Sequence, residues 1–552
     1  MIRRTAAVLT ATVTLAAAGL GAAHASPLPA YIEQGGDDPV TAQPAVTTPG
    51  TRSCTVTLAD AFPSNAADGS PQNYSGTLTP PKRCQGPWAK VVLSSTTTVS
   101  GRQYDRSGSL AIGGVTVWFG TTQEPSGATP TTFGFTKDIT DFTSLLKKPQ
   151  PFTGGYGNYT SSVYTGVYDQ TVRITYYMAD RAHPAPAVPD EVVAVPVEDL
   201  HPGATSSTAT LSGLPRNLTG ARLQVTLKGN GCDEQWFTAV PDEVSAKFPS
   251  DGLCAAGAYR EAAVSLDGRR AGAVGTFPHI YSGGIVPTLW RPVLAQNTLD
   301  LRPEDLDLTP FAGTLVDGRS HAMTFTIDPL NDNWNVAAVL FLFTDHHRAR
   351  TSGALTRDDV AASPATATTS SAVTNGSVDY RQTARRSDVI SGYVDTSAGR
   401  VSTTVTTGRN FTNSGTVSDN GLVQTVKQTD AMSTRSVSTS RGRVLASSIL
   451  SESYPITVDF SAADYQDDQN FSLKGSVDLT QNVSALTTGR GWPTIRRWSW
   501  NVDTTGVLSR AAGVTSESDG SSTSTYRGTT DTGRFVACRI TTDHGRVTSG
   551  SC

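Results

Sequence analysis

Short segments in which apolar and polar residues alternate follow one another through the first 350 residues. Typical segments begin at Trp88, Val115, Val172 and Arg222, run for about six residues and are bounded by Gly, Pro, Asn or Asp. Alternation with a period of two is typical of strands that bury one face. Many such strands with few helical patterns predict an all-β protein of packed jelly-roll or β-sandwich domains.

Three segments refine this prediction. Residues 336–343 are continuously apolar, which predicts a strand buried on both faces. Short helical turns are expected near residues 138–142 and 306–311, where Asp precedes a Thr-containing turn.

The composition changes after residue 350, because residues 351–450 contain 35 Ser or Thr. Alternation nevertheless continues through residues 400–407 and 434–440. A disordered stalk would explain the composition, whereas the alternation favours a third, Ser/Thr-rich β domain with one polar face.

These patterns predict five parts of the chain. Residues 1–25 resemble a cleaved signal peptide, because Arg3 and Arg4 precede a small-apolar run that ends in the cleavage pattern Ala23-His24-Ala25. A membrane helix is the alternative, but the run is only weakly hydrophobic. The other parts are a flexible lead-in at 26–50, jelly-roll domains at 51–195 and 196–350, and the C-terminal β domain at 351–552. The protein is therefore expected to be secreted, with no membrane partner.

Charge adds little to this picture. The formal net charge is −4, or −6 without Arg3 and Arg4, and charged residues make up only 17% of the chain. No strong positive field favours nucleic acid, so none is expected as a partner. A monomer is expected.

The six cysteines fall into three pairs that are close in the sequence, and this clustering favours the disulfides Cys54–Cys84, Cys232–Cys254 and Cys538–Cys552. Each would contribute ~3 kcal/mol in the entropic view. Zinc binding is the alternative, but no Cys-x-x-Cys is present, and no metal is expected.

The first candidate for chemistry is Asp105, which lies between Arg102 and Arg106 just before a predicted strand. Nearby cations favour the ionised form of a carboxyl group. An ordinary ion pair at a sheet edge is the alternative interpretation.

The second candidate is the acidic segment that follows the predicted strand at 222–227. Here Asp233 and Glu234 lie beside Cys232 and Trp236. A carboxylate accepts hydrogen bonds from sugar hydroxyls and an indole stacks on a sugar face, although a capped surface turn would look the same. Asp105 and Glu234 can meet only if their two domains pack together.

Several stretches resemble the peptide:N-glycanase A family in chain order. They are Cys54-Thr-Val-Thr-Leu, Ser100-Gly-Arg-Gln-Tyr-Asp-Arg, Lys137-Asp-Ile-Thr-Asp-Phe, Val163-Tyr-Thr-Gly-Val-Tyr, Leu214-Pro-Arg-Asn, Tyr259-Arg-Glu, Leu266-Asp-Gly, Phe277-Pro-His-Ile-Tyr-Ser-Gly-Gly-Ile, Leu308-Thr-Pro-Phe and the run 331–342. The resemblance covers about residues 50–350 well and the tail more loosely.

This resemblance implies two jelly-roll domains and an amidase that hydrolyses the bond between Asn and the first N-acetylglucosamine of N-glycopeptides, without a cofactor. A more distant relative, peptide:N-glycosidase F, carries its catalytic acids in W-D-R and C-A-E-W elements. Asp105 in Tyr104-Asp105-Arg106 is similar to the first acid. Glu234 is similar to the second, with one extra residue before Trp236. The stretch 156–168 contains no Glu to match a third acid of that relative.

The expected catalytic residues are therefore Asp105 and Glu234. The expected substrate contacts are Arg102, Arg106, Asp233, Trp236, Trp290 and Arg291, with packing as the alternative role of both tryptophans. An endo-acting glycoside hydrolase that uses the same two acids, and a non-catalytic glycan-binding surface protein, remain the alternative functions.

Overall fold

The computed structural model describes residues 38–65, 72–125, 130–249, 252–467, 469–489 and 493–552. The predicted signal peptide at 1–25 lies outside the described residues, as does the predicted lead-in as far as residue 37. Within the described ranges, no helix is long and apolar enough to cross a membrane.

The first unit is a sandwich of two four-stranded antiparallel sheets, with strand orders β1-β8-β3-β6 and β2-β7-β4-β5. The elements are β1 (Ser53–Ser64), β2 (Asn73–Leu78), β3 (Trp88–Ser100), β4 (Ser107–Ile112), β5 (Val115–Thr121), β6 (Thr131–Asp138), α1 (Thr143–Leu146), β7 (Gln150–Tyr156) and β8 (Val167–Met178). Alternate residues of β8 are buried, as a strand facing one core requires. The expected helical turn is present at Thr140–Phe142, where Asp138 accepts the Thr140 N–H at 3.0 Å.

The second sandwich has strand orders β14-β11-β16-β9 and β10-β15-β12-β13. The elements are β9 (Glu191–Val195), β10 (Ser206–Leu211), β11 (Leu218–Gly229), α2 (Asp242–Ser245), β12 (Ala262–Leu266), β13 (Arg269–Val274), β14 (Glu304–Asp307), β15 (His321–Thr326) and β16 (Trp334–Thr344). The second expected turn is present at Thr309–Phe311. β9 pairs with β16, so the second sandwich already begins before residue 196.

Strand β16 is the apolar strand that the sequence predicts to be buried on both faces, and this prediction is confirmed. Leu340 and Leu342 pack in the core of the second sandwich. Val339 and Phe341 point the other way, into the core of the first sandwich. The ring of Phe341 contacts Phe142 with centroids 5.2 Å apart. The two sandwiches therefore meet through a shared apolar interface, which fixes where their loops lie.

The C-terminal region is one twelve-stranded sheet that follows the order β17-β19-β20-β21-β22-β24-β25-β26-β27-β28, with β18 beside β19 and β23 between β21 and β24. Its strands are β17 (Ser352–Asp359), β18 (Ala365–Ser370), β19 (Val378–Thr396), β20 (Gly399–Ser418), β21 (Val423–Ser440), β22 (Arg443–Ser453), β23 (Ile456–Ser461), β24 (Phe471–Thr488), β25 (Thr494–Ala511), β26 (Val514–Thr529), β27 (Phe535–Asp543) and β28 (Arg546–Ser551). The region is folded, as the alternation indicates. The strands reach 20 residues, well beyond the length near six expected from the earlier segments.

One face of this sheet packs on the second sandwich, and the two share a single apolar core. Phe411 of β20, for example, contacts Tyr259 edge-on with ring centroids 5.2 Å apart. This explains the alternation in a Ser/Thr-rich sequence: apolar residues face the sandwich and hydroxyl residues face solvent. The three disulfides form as predicted, between Cys54 and Cys84, Cys232 and Cys254, and Cys538 and Cys552.

Candidate active site

Asp105 lies in the short connection between β3 and β4 of the first sandwich. The backbone on either side of it is fixed by hydrogen bonds. Tyr168 donates its hydroxyl to the Tyr104 carbonyl at 2.5 Å, and the Arg106 N–H donates to Thr122 Oγ1 at 2.7 Å. The Asp105 carboxyl is therefore held at the end of the sandwich, partly exposed to solvent.

Glu234 follows β11 of the second sandwich, directly after the turn Gly231–Asp233. That turn is anchored by Asp233, whose side chain is fully buried. Asp233 accepts hydrogen bonds from Arg260 at 2.7 Å and from the Trp334 indole at 2.8 Å. Glu234 itself is partly exposed and accepts one hydrogen bond from the Gln235 amide at 3.0 Å.

The loop of residues 281–284 passes between the two sandwiches and contacts both acid-bearing segments. The Gly283 N–H donates to Asp105 Oδ2 at 3.4 Å. A Cβ on Gly283 would lie 2.0 Å from Glu124 Oε2, and one on Gly284 would lie 2.9 Å from Gln235 Nε2. The loop backbone therefore lies close to side chains of both sandwiches, and it joins the two halves of the site.

Lys228, the penultimate residue of β11, is the charged residue that sequence reasoning missed. It is 6% exposed, its Nζ lies 4.8 Å from the centre of the Tyr281 ring, and it donates to Asn230 Oδ1 at 2.5 Å. In the sequence it shares a strand face with Arg222, Gln224 and Thr226. The polar residues of that face predict that it is solvated. No local signal distinguishes it, because it is the packing of the sandwiches that encloses its ammonium group.

The two carboxyl groups influence one another. Burial, followed by the charge of Asp105, raises the pKa of Glu234 to about 7, while Lys228 and the Gln235 hydrogen bond oppose this. Burial also raises the pKa of Asp105, but the Gly283 N–H, Lys228 and Arg106 all favour its ionised form. The two carboxyl groups therefore titrate as a coupled pair, in which three nearby groups favour the ionised form of Asp105 and two favour that of Glu234.

Beside Asp105 lies a stack of aromatic and cationic side chains. The rings of Tyr104 and Tyr164 are 4.2 Å apart, and their hydroxyls are hydrogen-bonded. The guanidinium of Arg106 lies 5.5 Å from the Tyr104 ring, and that of Arg102 lies 5.4 Å from the Tyr164 ring. Arg102 is exposed, so this wall presents positive charge and π surface at the rim.

The remaining predicted contacts lie inside the protein. Asp233, Trp236, Trp290 and Arg291 are between 0% and 7% exposed. Trp290 donates its indole N–H to the Gly284 carbonyl at 2.8 Å. This hydrogen bond helps to fix the loop of residues 281–284. These positions favour packing, the alternative that the sequence leaves open for the two tryptophans. The sequence expects no metal, and in the described ranges no three His, Cys, Asp or Glu side chains are grouped so that they could hold one.

Comparison with known proteins gives matches over most of the chain. A model of the family "Peptide N-acetyl-beta-D-glucosaminyl asparaginase amidase A" matches residues 39–361, and a "PNGase_A C-terminal domain" model matches residues 379–456. A Peptide-N4-(N-acetyl-beta-glucosaminyl)asparagine amidase A from Prunus dulcis is 30% identical over 373 residues, which are 63% of this chain and 64% of that protein. This chain therefore spans somewhat less than two thirds of that relative.

Two solved structures are more remote. A crystal structure of peptide-N(4)-(N-acetyl-beta-D-glucosaminyl) asparagine amidase matches 53% of this chain and 96% of its own, with 12% identity and a TM-score of 0.35. The PNGF-II structure matches 54% of this chain and 66% of its own, with 13% identity and a TM-score of 0.37. Likenesses at this level support no conclusion about the site.

The fold defines a class of all-β protein in which two packed sandwiches each place one carboxyl group where the two groups interact electrostatically. Within this class, the family match covers more than half of the 552 residues. The chain belongs to the peptide N-acetyl-β-D-glucosaminyl asparaginase amidase A family.

Proposed function

We propose that this protein is an amidase that hydrolyses the Asn side-chain amide linked to N-acetylglucosamine in N-glycopeptides and glycoproteins. The glycan would leave as a glycosylamine, and Asp would remain in the peptide. The observation that carries the proposal is that Asp105, Glu234 and Lys228 come from two sandwiches and interact electrostatically, while the Gly283 N–H of the loop between them donates to Asp105. Membership of the amidase A family supports the choice of substrate.

Asp105 is assigned the role of general base. Its oxygen takes a proton from a water molecule as that water attacks the amide carbonyl carbon. The Gly283 N–H, Lys228 and Arg106 keep Asp105 ionised for this step. The carbonyl oxygen gains negative charge as the bond forms, and the Lys228 ammonium is the nearby group that can stabilise it.

Glu234 is assigned the role of general acid. The C–N bond breaks when the leaving nitrogen gains a proton, and Glu234 can supply it because its pKa lies near 7. The two products are a peptide that carries a carboxylic acid and a sugar that carries an amine. The proton that Asp105 took from water then restores Glu234.

The wall of Arg102, Tyr164, Tyr104 and Arg106 is assigned to substrate binding. Tyrosine rings can stack on the apolar face of a sugar, and the arginines can donate to its hydroxyls or to peptide carbonyls. Secretion is part of the same proposal. Three disulfides support it, because such bonds persist in oxidising compartments.

The test is incubation of the purified protein with a defined N-glycopeptide in heavy-oxygen water, followed by mass spectrometry of the peptide. Conversion of Asn to Asp with one heavy oxygen is expected. A peptide that keeps one N-acetylglucosamine would overturn the proposal in favour of a glycoside hydrolase. A glycopeptide that is bound but unchanged would favour a non-catalytic glycan-binding protein.

A further inference from the structure

Two amide side chains of the C-terminal sheet donate hydrogen bonds into the segment that follows Glu234. Asn413 of β20 donates to the Phe237 carbonyl at 2.9 Å. Gln424 of β21 donates to the Thr238 carbonyl at 2.7 Å. Asn413 is 0% exposed and Gln424 is 5% exposed, so water does not replace either donor. Each amide therefore satisfies a buried main-chain carbonyl.

These contacts bear on Glu234 because of where they lie along the chain. On the N-terminal side of Glu234, Asp233 fixes the chain to the second sandwich through Arg260. On the C-terminal side, Phe237 and Thr238 belong to the turn Trp236–Thr238, and it is the C-terminal sheet that holds this turn. Glu234 therefore lies between two anchors, one in the second sandwich and one in the C-terminal sheet.

The same sheet also supports the loop that reaches Asp105. Thr504 of β25 donates its hydroxyl to the Leu289 carbonyl at 2.8 Å. Two glycines let the loop lie directly on the strands: a Cβ on Gly506 would lie 3.0 Å from Thr288 Cβ, and one on Gly475 would lie 3.0 Å from Val286. This loop runs back to Gly283, whose N–H contacts Asp105.

We propose that the C-terminal sheet is part of the catalytic apparatus, and that Asn413 and Gln424 are positioning residues for Glu234. The kinetic test of this inference rests on the proposed function, whereas the structural test does not. A shift of about 1 Å in a catalytic group can cost about a hundredfold in rate. The two amides set the position of the Glu234 main chain without touching substrate, so their loss should lower kcat and leave KM nearly unchanged.

The variant that tests this is Gln424→Met, which keeps the shape of the side chain and removes its donor. The matched control is Gln481→Met. Gln481 is also a buried glutamine of the sheet, 2% exposed, but it accepts from Asn297 rather than contacting either site loop. Hydrogen–deuterium exchange of peptides covering residues 231–238 should rise in Gln424→Met and stay at the wild-type level in Gln481→Met. Equal exchange in wild type and Gln424→Met would overturn the inference, whether or not the protein is an amidase.

The kinetic arm uses the N-glycopeptide at a temperature where all variants are folded. We expect kcat to fall about tenfold or more in Gln424→Met, with KM within about twofold, and no comparable loss in Gln481→Met. A wild-type kcat in Gln424→Met would overturn the inference while leaving the amidase assignment intact. If wild type itself forms no product, the proposed function fails and the exchange experiment decides the inference. If Gln424→Met does not fold, Gln424→Asn replaces it. This variant keeps an amide that is one methylene too short, so we expect a smaller rise in exchange and a smaller fall in kcat.

Discussion

Asp233 and Glu234 are adjacent in the chain, yet their carboxyl groups have different surroundings. Asp233 is enclosed and ion-paired to Arg260 at 2.7 Å, whereas Glu234 is partly exposed and close enough to Lys228 to interact with its charge. Glu234 is the C-cap of the turn Gly231–Asp233, and its N–H donates to the Gly231 carbonyl at 3.1 Å. One acid therefore stabilises the loop, and the other is available for chemistry.

Asp233→Asn should therefore destabilise the fold, while Glu234→Gln should not. The first change leaves the buried Arg260 without its counter-ion, which costs about 3–5 kcal/mol. The second removes a group whose pKa is raised in the folded state, from 4.5 to about 7. Such a group lowers stability as pH rises between those values, because the folded protein then binds more protons than the unfolded chain. Urea unfolding at pH 8 should show Asp233→Asn below wild type and Glu234→Gln at or above it. The reverse order would contradict these assignments.

Asp105→Asn should abolish most hydrolysis with little change in stability. The amide cannot accept a proton from water, and losing an essential general base costs on the order of a hundredfold to ten-thousandfold in kcat. The backbone around residue 105 is held by Tyr168 and Thr122 rather than by the carboxylate, so the fold should persist. Steady-state kinetics and thermal melting check both parts. Asp60→Asn, at an exposed acid of the same sandwich, should retain full activity. Retained activity in Asp105→Asn would remove Asp105 from the mechanism.

The pH dependence of hydrolysis should reflect the titration of Asp105 and Glu234. Activity requires ionised Asp105 and protonated Glu234, so kcat/KM should fall as pH rises through about 7, the pKa of Glu234 in the substrate-free protein. Lys228→Met removes a cation that lowers the pKa of both carboxyls. Both limbs of the profile should then move to higher pH, and kcat at the optimum should fall because the oxyanion loses its nearby charge. The pH–rate profiles of wild type and Lys228→Met check this. If the alkaline limb does not shift in Lys228→Met, titration of Glu234 does not cause that limb.

Local pattern predicts much of this fold, and the reasons are physical. Alternation identifies β8 and β11 because each has one strongly apolar face, and the continuous run in β16 reflects two apolar cores. The three disulfides are predictable because each pair is close in the sequence. The length of strands such as β20 is not, because hydroxyl residues give no signal of where a strand ends.

The site is predictable only in part. Asp105 and Glu234 could be named from their flanking residues and the family resemblance. Lys228 and Gln424 could not, because each lies on a strand face that looks solvated until another unit covers it, and Asn413 could not, because its place on the face of Phe411 and Val417 does not indicate what its amide contacts. The buried Asp233 is a further case, because a polar turn in the sequence becomes an interior anchor in the fold. Long-range packing decides these positions, and local sequence does not encode it.

The disulfide Cys232–Cys254 should matter for catalysis as well as stability, because Cys232 lies two residues before Glu234. Replacing both cysteines by Ser should cost about 2–4 kcal/mol of unfolding free energy and lower kcat by letting the Glu234 loop move. The matched control replaces Cys538 and Cys552, which form a bridge between β27 and the C-terminal residue. That variant should lose stability while its kcat stays near wild type below its melting temperature. If the two double variants lose kcat equally, the loss reflects general loosening, and the Cys232–Cys254 bridge has no particular role in holding Glu234.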